Sequence, residues 1–549
     1  IATFGAISIG YYSEAAAVML FYRIGEWFED MAVDRSKRSI TELMDIRADY
    51  ANVFYDGDIK KVNPEEVRKG DVIVVKPGEK VPLDGIIIEG KSFMDTAALT
   101  GESVLREVSE GQQVLSGTIN KDGFIKIRVT KEFGESTVSK ILELVSSSAE
   151  RKTKTENFIT KFAKIYTPIV VSLAVICALI PPLVIPGARF SEWLYKAIIF
   201  LVISCPCAFV ISVPLGFFAG IGSASKRGIL VKGGNYLEAL ANARIAVFDK
   251  TGTLTKGTFN VTDIKVSGSL SKEEIVRFAS YAESLSNHPI ARSIVRYFNE
   301  KIDKSKIKNY EEIEGMGIKA EVDGNEVLVG NARLMKKENI DFEEADALGS
   351  ILYESVNGKY AGAVIVSDEI KEDSCDTLKE LKKLGIRKTV MLTGDNEKQA
   401  SKAAEKLGVD EYYSELLPYN KVEILEKLLK DKNKNETLLF AGDGINDAPV
   451  LARADVGIAM GGVGSDAAVE AADAVIMHDQ PKKIVTAIKI ARKTRRVVAE
   501  NISFALAVKI IVLVLGILGA AKIWEAVFAD VGVTFIAVLN SLRALNIKE

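Results

Sequence analysis

At 549 residues the chain is long enough for about three or four domains. A net charge of −3 leaves no basic surplus for a nucleic-acid partner. Four cysteines without a framework spacing exclude a disulfide-built secreted protein, and only two histidines exclude a His-rich metal site.

Residues 1–22 are apolar except for Glu14. The chain opens without Met inside this stretch, with no basic leader or cleavage site. It therefore reads as a piece lacking earlier helices, not as a signal peptide. Residues 1–33 are assigned to one partial and one complete membrane helix. From residue 34 to 154 the sequence is polar and rich in short β-type runs. Val72-Ile73-Val74-Val75 and Gly85-Ile86-Ile87-Ile88, set between Gly and Pro turns, predict a small β-rich domain.

Residues 155–225 predict two membrane helices. The blocks 167–188 and 197–225 carry no charged side chain, and each reaches the roughly 20 residues that span a bilayer. The second block contains Cys205-Pro206-Cys207. Proline removes one backbone hydrogen bond and kinks a helix, which frees carbonyls and can turn two thiolates inward. Alone, the motif is more often a kink flanked by small apolar cysteines. As ligands, thiolates select Zn²⁺, Cd²⁺, Pb²⁺ or Cu⁺.

Residues 226–490 alternate strand-like and helical runs, such as Val390-Met391-Leu392 followed by Glu397–Leu407. This pattern predicts a parallel sheet with helices on both faces. It divides into 226–257 and 365–490, with an insert at 258–364. The final segment, 491–549, predicts two more membrane helices. In it, 503–521 carries only Lys509 and 526–542 only Asp530. Ionisable groups at membrane depth are costly and mark function. Basic runs at Arg35-Ser36-Lys37-Arg38 and Lys493-Thr494-Arg495-Arg496 place both polar insertions in the cytoplasm.

The chemistry centres on Asp249. It follows the strand-like run Ile245-Ala246-Val247-Phe248 and opens Asp249-Lys250-Thr251-Gly252-Thr253-Leu254-Thr255. A carboxylate at a strand end can attack phosphorus and carry the phosphoryl group, and a turn of hydroxyls and backbone N–H groups can hold its oxygens. The remaining parts lie far along the chain. Gly442-Asp443-Gly444-Ile445-Asn446-Asp447 follows the strand Thr437–Ala441, so Asp443 can face Asp249 across the sheet edge and share Mg²⁺. Thr393, in Thr393-Gly394-Asp395 after strand Thr389–Leu392, can bind phosphoryl oxygens. Lys421 can neutralise developing charge.

These motifs together resemble the P-type ATPases, ion pumps with a haloacid-dehalogenase-like phosphorylation domain. The resemblance implies a multidomain membrane protein. Its parts are a transmembrane helical bundle, a β-rich actuator domain (34–154) and an α/β phosphorylation domain carrying an inserted α+β nucleotide-binding domain. It implies ATP and Mg²⁺ as cofactors, with Asp249, Thr251 and Asp443 at the Mg²⁺ and Asp447 among the catalytic residues.

Leu99-Thr100-Gly101-Glu102-Ser103 resembles the actuator signature, in which Glu102 would place the hydrolytic water. Pro77-Gly78-Glu79-Lys80-Val81-Pro82-Leu83-Asp84-Gly85 is similar to its usual upstream stretch. Leu105 stands where the family usually has Pro, implying a looser loop. Ser286-Asn287-His288-Pro289 and Gly315-Met316-Gly317 resemble nucleotide motifs of the heavy-metal branch, which puts Glu283, His288, Gly315 and Gly317 at the ATP. Glycines there let backbone approach the ligand.

Within such a pump Cys205-Pro206-Cys207 marks the heavy-metal branch. Copper-transporting relatives carry Tyr-Asn in place of Val508-Lys509 and Met in place of Asp530, so this chain resembles the zinc, cadmium and lead exporters. Two thiolates and a carboxylate suit a borderline divalent ion. Cys205, Cys207 and Asp530 are thus the expected ligands, with Lys509 as built-in counter-ion and Glu26 on a release path. The lipid bilayer and metal ions are the expected partners, a monomer the expected unit, and a bacterial plasma membrane the expected location.

Two alternatives remain. One is a copper(I) exporter of the same branch. The other is a membrane-anchored haloacid-dehalogenase-like phosphatase or a metal sensor. A plain phosphatase would carry a second Asp two residues after the nucleophile; Thr251 stands there, which favours a long-lived phosphoenzyme.

Overall fold

The computed structural model describes residues 47–96 except 56–57, 105–139, and 153–545 except 206, 287, 314–315, 346, 348, 444–446, 462–465 and 518–522, with scattered helical positions between 3 and 27. The first polar insertion is built from short strands: β1 (Ala51–Tyr55), β2 (Asp58–Val62), β3 (Val72–Val75), β4 (Gly85–Glu89), β5 (Ser92–Asp95), β6 (Leu105–Val108), β7 (Gln113–Val114), β8 (Ile119–Asn120) and β9 (Ile125–Val129). They pair in two sheets, ordered β2-β1-β3-β9-β4-β7 and β6-β5-β8. In β9 the residues Ile125, Ile127 and Val129 alternate inward, the period-2 pattern of a half-buried strand. They join Ile73, Val75, Val81, Leu83 and Ile87 in one core.

Three apolar helices follow: α1 (Lys154–Val184), α2 (Phe190–Ile203) and α3 (Cys207–Ser225). A capping box starts α1, with Thr153 accepting from Glu156 N and Glu156 accepting from Thr153 N. The uncharged block 197–225 is therefore two helices. The break at Ser204-Cys205 comes just before Pro206, which lies outside the described residues.

The second insertion holds β10 (Ile229–Val231), α4 (Gly234–Ala241) and β11 (Ala243–Asp249). An inserted domain comes next: β12 (Thr255–Val266), α5 (Lys272–Glu283), α6 (Pro289–Phe298), β13 (Ile307–Ile313), β14 (Gly317–Val322), β15 (Asn325–Gly330), α7 (Ala332–Lys337), β16 (Ser350–Val356) and β17 (Lys359–Ile370). Its antiparallel sheet runs β12-β17-β16-β15-β14-β13, with α5 and α6 packed on it through Ile275, Phe278, Ala282 and Ile294. The strands β12 and β17 form the stalk through which the chain leaves the parallel sheet and returns.

The parallel sheet is completed by α8 (Ser374–Lys383), β18 (Lys388–Leu392), α9 (Glu397–Leu407), β19 (Glu411–Tyr413), α10 (Pro418–Asp431), β20 (Thr437–Gly442), α11 (Ala448–Arg453), β21 (Val456–Met460), α12 (Asp466–Ala471) and β22 (Ala474–Ile476). Its order is β10-β22-β21-β20-β11-β18-β19. Strand β11 sits between β18 and β20, parallel to both. Phe248 and Phe440 are fully buried on these neighbouring strands, each contributing about 1.5–3 kcal/mol. Apolar packing on both faces thus fixes the edge where β11, β18 and β20 end.

Two long helices close the chain, α13 (Lys482–Ile517) and α14 (Ile523–Ser541). Among the described residues four stretches are long and apolar enough to cross a membrane: 164–184, 190–225, 482–516 and 525–544. Their outer faces expose Leu183, Val184, Ile510, Ile511 and Phe528, as a lipid-facing surface requires. Helix α13 is continuous from the parallel sheet into the bundle. At its sheet-side end Arg492 Nη2 donates to Ala243 O at 3.4 Å, and Arg495 bonds the Asn242 side chain. Lys509, on the same helix, stands about 21 Å beyond Arg495 at 1.5 Å per residue. Deeper contacts tie the bundle: Asn501 Nδ2 donates to Ser541 Oγ at 2.8 Å, and Ser541 Oγ to Ser212 O at 2.9 Å.

Candidate functional site

Parallel pairing brings three predicted residues to one edge. Asp249 ends β11 opposite Leu392 of β18, so Thr393 follows one step on. Phe248 lies opposite Ala441 of β20, which places Gly442 beside Asp249 and Asp443 just beyond. Asp249 is 5% exposed. From helix α10, Lys421 Nζ donates to Asp249 Oδ1 at 2.7 Å and to Asp447 Oδ1 at 2.8 Å. Burial, then the Asp447 charge, raises the Asp249 pKa against the pull of Lys421. For Lys421 burial works against the ammonium, but Asp249 and Asp447 outweigh it and raise its pKa. Burial and the neighbouring carboxylate outweigh the one shared cation, so Asp249 rises even though it is paired.

The turn after Asp249 leaves helical geometry at Thr251 (φ −74°, ψ 128°) and Gly252 (φ 73°, ψ −12°). A Cβ on Gly252 would meet Asp443 Oδ2 at 2.9 Å. Only a glycine with this positive φ lets the Asp443 carboxylate close over the loop. Asp447 Oδ2 is buried and accepts no hydrogen bond. This oxygen-rich set fits Mg²⁺. Among the described residues no three Asp, Glu, His or Cys side chains gather as a cage, but Mg²⁺ needs only one or two carboxylates plus water and substrate phosphates. Thr393 is buried, and its Oγ1 accepts from Asp395 N at 3.1 Å. Asp395 in turn pairs with Lys250 of the nucleophile's turn.

Sequence reasoning missed two supports of that turn. Lys371 Nζ donates to Gly252 O at 2.8 Å, to Thr253 O at 2.9 Å and to Asp479 Oδ1 at 2.5 Å. Burial lowers its pKa, with Asp479 opposing. Thr255 Oγ1 lies 2.5 Å from Asp368 Oδ2. Both Lys371 and Asp368 come from the returning stalk. The signal in the sequence was the polar residues Asp368, Glu369 and Lys371 at the end of the apolar strand β17.

In the inserted domain Glu283, His288 and Gly317 line one cavity of about 360 Å³, with Glu312, Met316 and Gly330. Glu283 ends α5 and His288 caps α6, its Nδ1 accepting from Ile290 N at 3.3 Å. Burial, then Glu312, pushes the Glu283 pKa up to about 7. Gly317 faces Gly330 across the sheet. A Cβ on Gly317 would meet Val329 O at 2.2 Å, and one on Gly330 would meet Met316 O at 2.3 Å. Gly330 is a third missed residue, because its partner lies on another strand. Gly315 lies outside the described residues, as does Glu102.

At membrane depth Lys509 Nζ donates to Asp530 Oδ1 at 2.5 Å, to Ile203 O at 3.2 Å and to Cys205 O. All three donors of the ammonium are used, two of them on carbonyls at the α2–α3 break. Cys207 opens α3, with its side chain outside the described residues. Glu26 pairs with Arg23 at 2.7 Å.

Residues 45–146 match the P-type ATPase actuator domain family, and residues 243–455 match the haloacid dehalogenase-like hydrolases. The chain is 55% identical to a cadmium, zinc and cobalt-transporting ATPase of Bacillus subtilis (strain 168), over all of this chain and 78% of that protein. The chain belongs to the P-type ATPases. Its likeness to a zinc-transporting ATPase of Synechocystis sp. (strain ATCC 27184 / PCC 6803 / Kazusa) is 51% identity over 99% of the chain and 75% of that protein. The crystal structure of a zinc-transporting PIB-type ATPase in its E2.Pi state superposes with a TM-score of 0.65 at 35% identity, covering 99% of this chain and 89% of the other. This P-type ATPase, of the heavy-metal branch, is thus a multi-pass membrane enzyme that couples ATP hydrolysis to ion transport.

Proposed function

We propose that this P-type ATPase exports Zn²⁺ or Cd²⁺, and Pb²⁺ by the same ligand chemistry, out of the cytoplasm. The observation that carries the choice of ion is the contact of Lys509 with both Asp530 and the Cys205 carbonyl. A carboxylate beside the Cys205-Pro206-Cys207 break gives a mixed sulfur and oxygen site, which suits a borderline divalent ion; copper(I) favours sulfur alone. The names of the zinc- and cadmium-transporting relatives agree with this reading.

The ion binds Cys205, Cys207 and Asp530 from the cytoplasm, displacing Lys509 from Asp530. ATP sits in the cavity at Glu283, His288, Gly315 and Gly317. Asp249 attacks the γ-phosphorus; an Asp249 O–P bond forms and the bond to the bridging oxygen breaks, releasing ADP. Lys421 offsets the added negative charge and Thr393 hydrogen-bonds the phosphoryl oxygens. Asp249, Thr251 and Asp443, beside Asp447, would hold Mg²⁺, which would supply further charge neutralisation. The alternation of access lowers affinity for the ion, and Lys509 returns to Asp530 as it leaves past Glu26. Glu102 then directs water onto phosphorus, restoring the Asp249 carboxylate and freeing phosphate. Helix α13 links the two ends, through Arg492 and Arg495 at one and Lys509 at the other.

We also propose that the protein works as a monomer, since nucleotide, phosphoryl and ion sites are all on one chain. Its setting is a bacterial plasma membrane, with both polar insertions cytoplasmic. The test is ATP turnover by the purified protein with zinc, cadmium, lead or copper(I) added. Stimulation by the divalent ions is expected. Stimulation by copper(I) alone would overturn the reading of Lys509 and Asp530.

A further inference from the structure

Asp84, in the run Pro82-Leu83-Asp84-Gly85, has no part in the steps above, yet among the described residues it is the most heavily bonded buried carboxylate of the actuator domain. It is 0% exposed. Its Oδ1 accepts from Ser116 N and Ser116 Oγ, both at 2.8 Å. Its Oδ2 accepts from Thr137 N at 3.1 Å and Thr137 Oγ1 at 2.8 Å. Ser116 Oγ accepts in turn from Val138 N at 3.1 Å. One carboxylate therefore joins the β7–β8 loop to the segment that leaves the domain.

The residues next to these two anchors matter. Leu115 and Val138 pack with the apolar cluster of the phosphorylation domain that includes Leu230 and Val475. Among the described residues they are the apolar feet of the actuator on that domain. The same β7–β8 loop runs into β8, which pairs with β5 at Met94↔Asn120 and Asp95↔Ile119. In sequence, Glu102 follows the end of β5 at Asp95. A hydrogen-bonded path thus runs from the feet, through Ser116 and the β7–β8 loop, to β5.

We propose that Asp84 is a positioning residue for hydrolysis of the acyl phosphate. By clamping Ser116 and Thr137 it sets the two feet relative to each other, and so how the actuator domain seats on the domain that carries Asp249. This rests on the reading of Glu102 given above. A clamp of this kind affects the docked step and leaves phosphorylation by ATP intact.

The test uses the purified full chain, phosphorylated with radiolabelled ATP and chased with chelator. Ser116→Ala and Thr137→Val each remove one hydroxyl bond to the carboxylate. They are expected to reach the wild-type phosphoenzyme level and to lose it about ten-fold more slowly, as fits one hydrogen bond to a charged group. Val138→Ser should slow the same step, and the pair Asp84→Asn with Val138→Ser should fall short of additivity, because both act through the feet. Glu102→Gln separates the two readings. If it slows decay while Ser116→Ala and Thr137→Val decay like wild type, the Asp84 proposal is overturned and Glu102 stands. If Glu102→Gln itself decays like wild type, the reading of Glu102 fails and the Asp84 role with it. A lowered phosphoenzyme level with an early unfolding transition in both hydroxyl variants would assign Asp84 to domain stability alone, which also overturns the proposal.

Discussion

Lys509 Nζ lies 2.5 Å from Asp530 Oδ1, and its other two donors meet the carbonyls of Ile203 and Cys205. A single ammonium thus satisfies both the carboxylate and the backbone freed where α2 ends. Such carbonyls would otherwise face an apolar interior without partners, at a cost of several kcal/mol each.

Competition between Lys509 and the transported ion for Asp530 has a measurable consequence. Lys509→Met should bind zinc at least as tightly as wild type, because the rival cation is gone. Turnover should fall several-fold, because nothing replaces the ion on release. Equilibrium zinc binding and steady-state ATPase rates check this. Weaker binding in Lys509→Met would make Lys509 a support of the site and not its competitor.

The shared ammonium of Lys421 predicts opposite effects at its two ends. Lys421→Met leaves Asp249 and Asp447 buried without their cation, and should cost about 3–5 kcal/mol as well as phosphorylation. Asp249→Asn also abolishes the phosphoenzyme. It removes one of the mutually repelling carboxylates, however, and should unfold at the same or a higher temperature than wild type. Phosphoenzyme level and thermal unfolding of both variants, measured side by side, decide it.

Glu283 gives a pH prediction. Its ordinary value is 4.5, and burial pushes it up to about 7. Below 4.5 folded and unfolded chains both hold the proton. Between that value and about 7 only the folded chain holds it, so stability falls as pH rises through this window and levels off above it. Relative to Glu283→Gln, the wild type should lose up to about 3 kcal/mol across this range. Parallel unfolding curves of the two proteins at pH values on either side of the window test it; a pH-independent difference would contradict it.

The paired glycines of the nucleotide cavity allow a third kind of test. Gly330→Ala drives a methyl into Met316 O and Gly317 and should cost about 1–3 kcal/mol. Nucleotide affinity should fall at least ten-fold as the cavity floor shifts, while zinc binding in the membrane stays unchanged. Nucleotide protection of the chain against proteolysis reads the first, and equilibrium zinc binding the second.

The sheet edge was legible because its residues each follow an apolar strand: Asp249 after Ile245–Phe248, Thr393 after Thr389–Leu392 and Asp443 after Thr437–Ala441. Parallel topology then brings strand ends together without further information. The Lys509–Asp530 pair was legible too, since two charges in uncharged helices have few alternatives. What stayed hidden depends on contacts across long sequence separations. Lys371 reaches Gly252 and Thr253 over more than a hundred residues, and a lone Lys after a strand gives no local sign of its partner. Gly330 reads as a turn until Gly317 lies against it. The break of block 197–225 at Ser204-Cys205 is deeper than the expected kink, because Lys509 replaces the helical bonds lost there.

The central claim is that phosphorylation of Asp249 drives a divalent ion through the site at Asp530. The most direct measurement is ATP-dependent uptake of zinc into sealed inside-out vesicles holding the protein, its Asp249→Asn variant or its Asp530→Ala variant. Uptake by the unaltered protein alone is the expected result. Zinc uptake by Asp530→Ala at the unaltered rate, or uptake of copper(I) but not zinc by the unaltered protein, would contradict the account.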